Sequence, residues 1–320
     1  MSAALPTWRH DEEAGTVTVT LDGTDVAVYT YRATDAQRES PRPYFHPLRT
    51  RAGETVTVFR PHDHLWHKGL AWSLPHVSGE NFWGGPTFRR DEGYVQLNNN
   101  GRMEHTAFTA LGTAEDGRFV LIHELAWSRQ DGTPVVAETR TVSVLPAEDP
   151  SSWTLVFETD MENISGEDLR IGSPTTEGRP NAGYGGLFWR GPRSFTGGTI
   201  VGPGGATGEA LRGTRHPWAA FVGRHDETDA ASTILIADYP GNGQHPPEWF
   251  ARSEPFGCLG PAPFFSEEVP FGAGAHLVNR YVVVISDGAA DSPRLEELAS
   301  AAQGAFDRTT AAAASGGSGS

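Results

Sequence analysis

The chain has 320 residues, 38% of them hydrophobic, enough for one large all-β domain or two ordinary ones. Its formal net charge of -15 argues against nucleic acid or anionic membrane as a partner, and its single cysteine, Cys258, excludes an intrachain disulfide. No apolar run approaches the roughly 18 residues that suggest a membrane-spanning helix, and residues 1–10 carry no apolar leader, so a soluble, cytoplasmic protein is expected.

The predicted elements are mostly strands. Thr16 to Leu21 alternates, with Val17, Val19 and Leu21 on one face; Asp22-Gly23 is a turn signal, and Val26 to Thr30 returns. Gly53-Glu54 precedes a β-branched run, Thr55 to Phe59. The same grammar recurs at Phe119 to Trp127, Asp131-Gly132 and Val135 to Val144. Leu155 to Met161 and Asp168 to Ile171 flank an Asn163-Ile164-Ser165-Gly166 turn. Gly191 to Gly208 reads as a long Gly/Pro-rich loop. Strands follow at Trp218 to Val222, Thr233 to Asp238 and Leu277 to Ser286. The convincing helix comes last, with Ser292 as cap, Pro293 in the first turn and Leu295, Leu298 and Ala302 as its apolar face. Many strands and one late helix predict an all-β fold, a large antiparallel β-sandwich with one C-terminal helix. Residues 1–309 form one expected domain without internal repeats, and residues 310–320, ending in a Ser-Gly stretch, a flexible tail.

Candidate chemistry concentrates in Pro61-His62-Asp63-His64-Leu65-Trp66-His67-Lys68. Lys68 is the sole lysine; the other 24 of the 25 basic Lys/Arg residues are arginine. A titratable amine among histidines points to acid/base work. Five of the 12 histidines fall between His46 and His76. On a strand, His62 and His64 share a face and His67 opposes them; if the chain turns at Asp63, His64 and His67 converge as on a helical turn. A metal site would use His64 and His67 with His46 or His105. The other reading is acid/base, sugar-binding or merely structural histidines.

Further blocks are polar and rich in glycine or aromatics. Glu80-Asn81-Phe82-Trp83-Gly84-Gly85 can present Trp83 to a sugar's C–H face, although Trp83 equally suits a core. Turn formation accounts for Asn99 and Asn100, leaving Asn98 and His105 as candidates to face a ligand. Of the neighbours His123 and Glu124, only one can face inward. The loop from Thr175 to Gly186 carries Glu177, Arg179 and Tyr184, suited to a polyol or carboxylate, or to a solvated ion pair. His245 and Glu248 sit in a second polar-aromatic loop; Glu267 and Glu268 are alternative bases that also suit a solvated face. Cys258 has no flanking base and reads as structural. Phosphate-loop, nucleophile-elbow and dinucleotide signatures are absent.

Tyr44-Phe45-His46-Pro47-Leu48, the block from Pro61 to Leu70, and Phe82-Trp83-Gly84-Gly85 together resemble the soluble bacterial PmoA-like family. Gly183 to Arg190 and His245-Pro246-Pro247-Glu248-Trp249-Phe250 extend the resemblance, which spans roughly residues 40 to 288. The family takes its name from a methane-oxygenase membrane subunit, whose long apolar helices this chain lacks. What the resemblance implies is carbohydrate catabolism on a galactose-mutarotase-like β-supersandwich, where a histidine acid and a glutamate base work on a sugar's anomeric centre.

The expected activity is therefore on a sugar or an oxidised (keto) glycoside, of isomerase, lyase or hydrolase type. His64 or His67 would be the acid, and Glu177, Glu248 or Lys68 the base. His46, His62, Trp83, Asn98, His105, Arg179, Tyr184 and His245 would bind substrate. The alternatives are a lyase or oxygenase dependent on a divalent transition metal, and a non-catalytic carbohydrate-binding module. A small carbohydrate is the expected partner, and a homo-oligomer is left open.

Overall fold

Two eight-stranded antiparallel sheets carry the fold, in a computed structural model that describes residues 4–316. The first sheet runs Thr7–Asp11, Thr16–Leu21, Thr24–Thr30, Tyr44–Leu48, Leu70–Ser73, Gly186–Arg190, Cys258–Ala262 and Glu248–Arg252 in spatial order. The second runs Thr199–Val201, Trp218–Arg224, Ala231–Asp238, His276–Asp287, Ser152–Asn163, Pro134–Val144, Phe119–Ser128 and Arg102–Thr113. The large antiparallel sandwich expected from the strand grammar is the architecture observed. At the hairpin joining Thr16–Leu21 to Thr24–Thr30, Asp22 and Gly23 both take positive φ, 47° and 82°, the left-handed pair that a two-residue turn between right-twisted strands requires.

The main core fills the space between the sheets. Val17, Val19 and Leu21 enter it from the first sheet and Leu121, Leu125 and Phe157 from the second, as period-2 alternation demands. A second cluster covers the outer face of the second sheet: Val156, Leu235, Val282 and Val284 pack against Leu295, Leu298 and Ala302 of the C-terminal helix. Full burial of each helix leucine contributes about 2 kcal/mol. That helix spans Ser292–Gly316, so it continues beyond residue 309; residues 317–320 lie outside the described residues. Its cap is Asp291 rather than Ser292, because Asp291 Oδ1 accepts the backbone N–H of Arg294 at 3.0 Å.

Two elements differ from expectation. Thr55 to Phe59 makes only isolated bridges, Thr55 with Arg49 and Phe59 with Lys68, because its backbone bonds are divided among different segments: Val56 donates to Leu48 and Val58 to Arg190. Gly191 to Gly208 is not one loop. Thr199–Val201 within it forms the edge strand of the second sheet, and Ile200 is fully buried.

A third cluster lies on the outer face of the first sheet. It comprises Trp83, Phe188, Phe250, Cys258, Ala262 and Phe265, with Trp66, Tyr184 and Phe256 packed against them. This face holds the candidate site.

Candidate functional site

Strand alternation builds the floor. In Gly186–Arg190, Leu187 and Trp189 enter the main core, which turns Phe188 and Arg190 to the outer face. In Glu248–Arg252, Trp249 and Ala251 point inward and Phe250 and Arg252 outward. Over this floor the segment after Phe59 folds into two consecutive turns, with His64 N–H bonded to Pro61 O and His67 N–H to His64 O, both at 3.0 Å. The chain thus turns at Asp63, and the imidazoles of His64 and His67 stack with centroids 4.5 Å apart.

The Gly84-Gly85 pair seats the third aromatic of this segment. A Cβ on Gly85 would lie 2.6 Å from the Trp66 ring, and both glycines take positive φ, 103° and 70°. Asn81 Oδ1 fixes the turn by accepting the N–H groups of Trp83 and Gly84 at 2.9 and 2.8 Å.

The two histidines have complementary partners. His64 Nδ1 lies 2.8 Å from Asp63 Oδ2. Burial pushes the Asp63 carboxyl upward, but hydrogen bonds from His64 and Arg190 outweigh it and hold the group at about 2. An ionised carboxylate only accepts, so His64 Nδ1 carries the proton and Nε2 keeps its lone pair. His67 Nδ1 lies 2.8 Å from an Arg190 guanidinium nitrogen, which only donates. His67 Nδ1 is therefore the acceptor, and its Nε2 carries the proton. Burial lowers the pKa of both rings, that of His67 far below the ordinary value. Both are neutral at neutral pH: one with a free basic nitrogen, the other with a free N–H.

These rings open onto a cavity of about 410 Å³, within the roughly 300–1,000 Å³ of small-molecule sites. Trp66, Trp83, Phe188, Phe250 and Phe256 supply apolar walls, and Tyr94, Tyr184, Arg179 and Arg252 supply polar tips. Arg179 arrives on the loop before Gly186–Arg190, bonds to the Tyr94 hydroxyl, and lies 4.8 Å from the centroid of that ring. The Tyr94 hydroxyl in turn lies 2.9 Å from that of Tyr184, whose pKa burial raises strongly.

Residues 16–300 match the model of DUF6807, a family of unknown function. The chain belongs to DUF6807. No curated protein matches it. Solved structures with some likeness include a heparan sulfate lyase from Pedobacter heparinus, at 8% identity and TM-score 0.37, covering 87% of this chain and 36% of that one. A candidate kojibiose phosphorylase from the human microbiome has 9% identity and TM-score 0.33, covering 96% of this chain and 32% of that one. A candidate aldose 1-epimerase from Escherichia coli K12 has 10% identity and TM-score 0.33, covering 88% and 99%. The chain thus spans about a third of the length of the first two.

Of the expected residues, this DUF6807 cavity collects His64, His67, Trp83, Arg179 and Tyr184. Lys68 does not join them. Its side chain is fully buried, with Nζ 2.8 Å from Asp35 and 2.5 Å from Glu39, so the amine is spent in an ion-pair network on the other side of the turn. His46 bonds to Thr57 Oγ1 at 2.9 Å and stacks on Phe59, and burial lowers it to about 4. His105 lies on the second sheet, 3.1 Å from His123 through their Nδ1 atoms; His123, not Glu124, is the inward neighbour. The metal set of His46, His64, His67 and His105 therefore does not converge.

Asn98 is exposed and does not line this cavity, while Asn99 and Asn100 are the buried, hydrogen-bonded members of that turn. His62 lines a separate depression beyond Phe256. His245 pairs with buried Asp238 at 2.7 Å, and Glu248 accepts from Ser266 at 2.7 Å; neither lines the cavity.

Glu177 belongs to another cluster. His76 Nε2 lies 3.2 Å from Glu177 and 3.9 Å from Glu268, and the three ligand atoms all fall within 4.8 Å of one another. It is the one such group among the described residues. His76 and Glu177 line a small void of about 10 Å³ that shares Trp83, Pro86 and Tyr184 with the main cavity.

Sequence reasoning missed Asp63, Arg190, Tyr94 and Arg252 as site residues. The signal for Arg190 and Arg252 was available: each ends a strand two residues after an aromatic that alternation turns away from the core.

Proposed function

We propose that this protein is an enzyme acting on a small sugar or an oxidised glycoside by neutral histidine acid/base chemistry of isomerase or lyase type. The observation that carries this is the pair of neutral imidazoles with opposite free nitrogens, side by side in one aromatic-walled cavity. His64 Nε2 takes a proton from a carbon next to a carbonyl, or from an anomeric hydroxyl. The His67 Nε2–H faces the oxygen on which charge develops and donates a hydrogen bond, or the proton itself, to it. Indole faces suit the C–H face of a sugar ring, while Tyr184 and Arg179 suit its hydroxyls. The resemblance of these same blocks to PmoA-like proteins of carbohydrate catabolism supports the substrate class. The chemistry favours an enzyme over a binding module, since a module has no use for a carboxylate-oriented base.

The test is a screen of aldoses and 3-keto-glycosides by proton NMR in deuterium oxide, with His64→Ala and His67→Ala as controls. Turnover or solvent exchange at one carbon that falls about 10²–10⁴-fold in both variants, with unchanged circular dichroism, is expected. Wild-type rates in both variants would overturn the proposal.

A second reading places a divalent transition metal at His76, Glu177 and Glu268. Separations of 3.2 and 3.9 Å suit ligands bound at about 2.0–2.2 Å, and the mixed N/O set suits zinc, manganese or iron. The adjoining void has room for about one water-sized occupant.

A further inference from the structure

We infer that the substrate of the histidine cavity is anionic: a sugar carrying a carboxylate or a phosphate. This rests on the sugar reading of the same cavity and adds the charge of its ligand.

The chain has 40 acidic residues and a net charge of -15, yet among the described residues no carboxylate lines this cavity. The charged side chains that do line it are Arg179 and Arg252. They approach from different walls, Arg179 from the loop before Gly186–Arg190 and Arg252 from the end of Glu248–Arg252. Both act electrostatically on Tyr184, which places that phenol within the field of each.

Among the described residues neither guanidinium has a carboxylate partner. Arg179 spends one nitrogen on the Tyr94 hydroxyl and rests on that ring. Arg252 rests on Phe250, 5.3 Å from the centroid, and its buried Nε has no hydrogen-bond partner. Other arginines without a carboxylate partner, Arg42 and Arg49, bond to backbone carbonyls, whereas Arg280 and Arg212 pair with Glu158 and Glu209. The nearest carboxylate to the histidines, Asp63, is already held by Arg190 at 3.0 Å and by His64 at 2.8 Å. Two half-buried guanidinium groups facing one cavity without a carboxylate are available to pair with an anion that the ligand brings. A guanidinium fork matches a carboxylate or phosphate in shape as well as charge. The aromatic walls then take the sugar's body.

The experiment is titration calorimetry of the full chain with glucuronate, gluconate, glucose 6-phosphate and glucose, repeated on Arg179→Gln and Arg252→Gln. Binding of at least one acid 10-fold or more tighter than glucose is expected, with that preference lost in Arg252→Gln and weakened by salt. A carboxylate preference identifies a sugar acid and a phosphate preference a sugar phosphate. Glucose binding as tightly as every acid would overturn the inference while leaving the sugar reading intact. Failure of all four to bind would overturn the inference, while the proton NMR screen with 3-keto-glycosides decides the sugar reading separately. Should either variant misfold, the wild-type preference and its salt dependence decide.

Discussion

Asp63 and Arg190 meet through both carboxylate oxygens, at 3.0 and 3.2 Å, and each also grips one of two stacked imidazoles: Asp63 holds His64 Nδ1 and Arg190 holds His67 Nδ1. One ion pair thus sets two opposite tautomers. It also fixes the protonation expected during turnover. Burial lowers the His64 pKa below its ordinary value of 6.5, with Asp63 opposing that shift in part. A base is lost when protonated, so kcat/KM should stay level from neutral pH upward and fall with a one-proton slope on the acid side, with its midpoint below 6.5. A pH–rate profile checks this. An acid limb centred above 6.5 would remove His64 as the base.

Asp63→Asn should lower kcat on the order of 10²–10⁴-fold, because an amide no longer enforces the Nδ1–H tautomer. Loss of the carboxylate also removes the influence that raises the His64 pKa, so the residual acid limb should move to lower pH. A purely structural Asp63 would lower the melting temperature without displacing that limb. The pH profile of the variant, measured well below its melting temperature, separates the two.

Lys68→Met should destabilise the fold by about 3–5 kcal/mol, since it leaves Asp35 and Glu39 short of a buried cation. Burial pushes the Glu39 carboxyl upward, but Arg60 and Lys68 hold it below its ordinary range. The stability gained from that depressed pKa is present above the unfolded value and is lost as pH falls through the folded one. Urea denaturation at neutral and acidic pH measures both effects. Turnover of the folded fraction should stay within about threefold of wild type; a large kinetic loss with unchanged stability would return Lys68 to the catalytic machinery.

The sequence made the sheets legible where one face is buried and the period is 2, as at Thr16–Leu21 and Phe119–Ser128. It made the His64–His67 convergence legible as a condition, a turn at Asp63, that the backbone meets. Lys68 misled for a physical reason: a titratable group among histidines looks the same in one dimension whether it faces them or a pair of carboxylates across the turn. His105 and His46 misled because clustering along the chain says nothing about which sheet a strand joins. Arg252 was invisible as a ligand contact because its meaning lies in what it lacks, a carboxylate partner, and only three-dimensional neighbours reveal that.

Cys258 should be inert in the native state. Burial among Phe188, Phe250 and Ala262 pushes its thiol up to about 12, so almost no thiolate exists at neutral pH. An aromatic disulfide reagent should titrate no thiol in buffer and one per chain in guanidinium chloride. Rapid native labelling would show that the sheet beneath the histidine cavity opens readily.

The cluster of His76, Glu177 and Glu268 yields the last expectation. Arg170 approaches Glu268 at 3.7 Å and competes with an ion for that carboxylate, so the site should favour a metal that holds His76 and Glu177 firmly. Protein purified without a histidine tag, dialysed and supplied with zinc or manganese, should retain about one equivalent by elemental analysis and melt at a higher temperature. Ligand binding at 100 times Kd adds about 2.7 kcal/mol to the native state. His76→Ala should lose both the equivalent and the melting shift, whereas His64→Ala should keep them. Metal lost from His64→Ala instead would place the ion among the stacked histidines and undo the base assigned to His64. No metal in any variant would leave His76 as the partner of an ordinary half-buried ion pair.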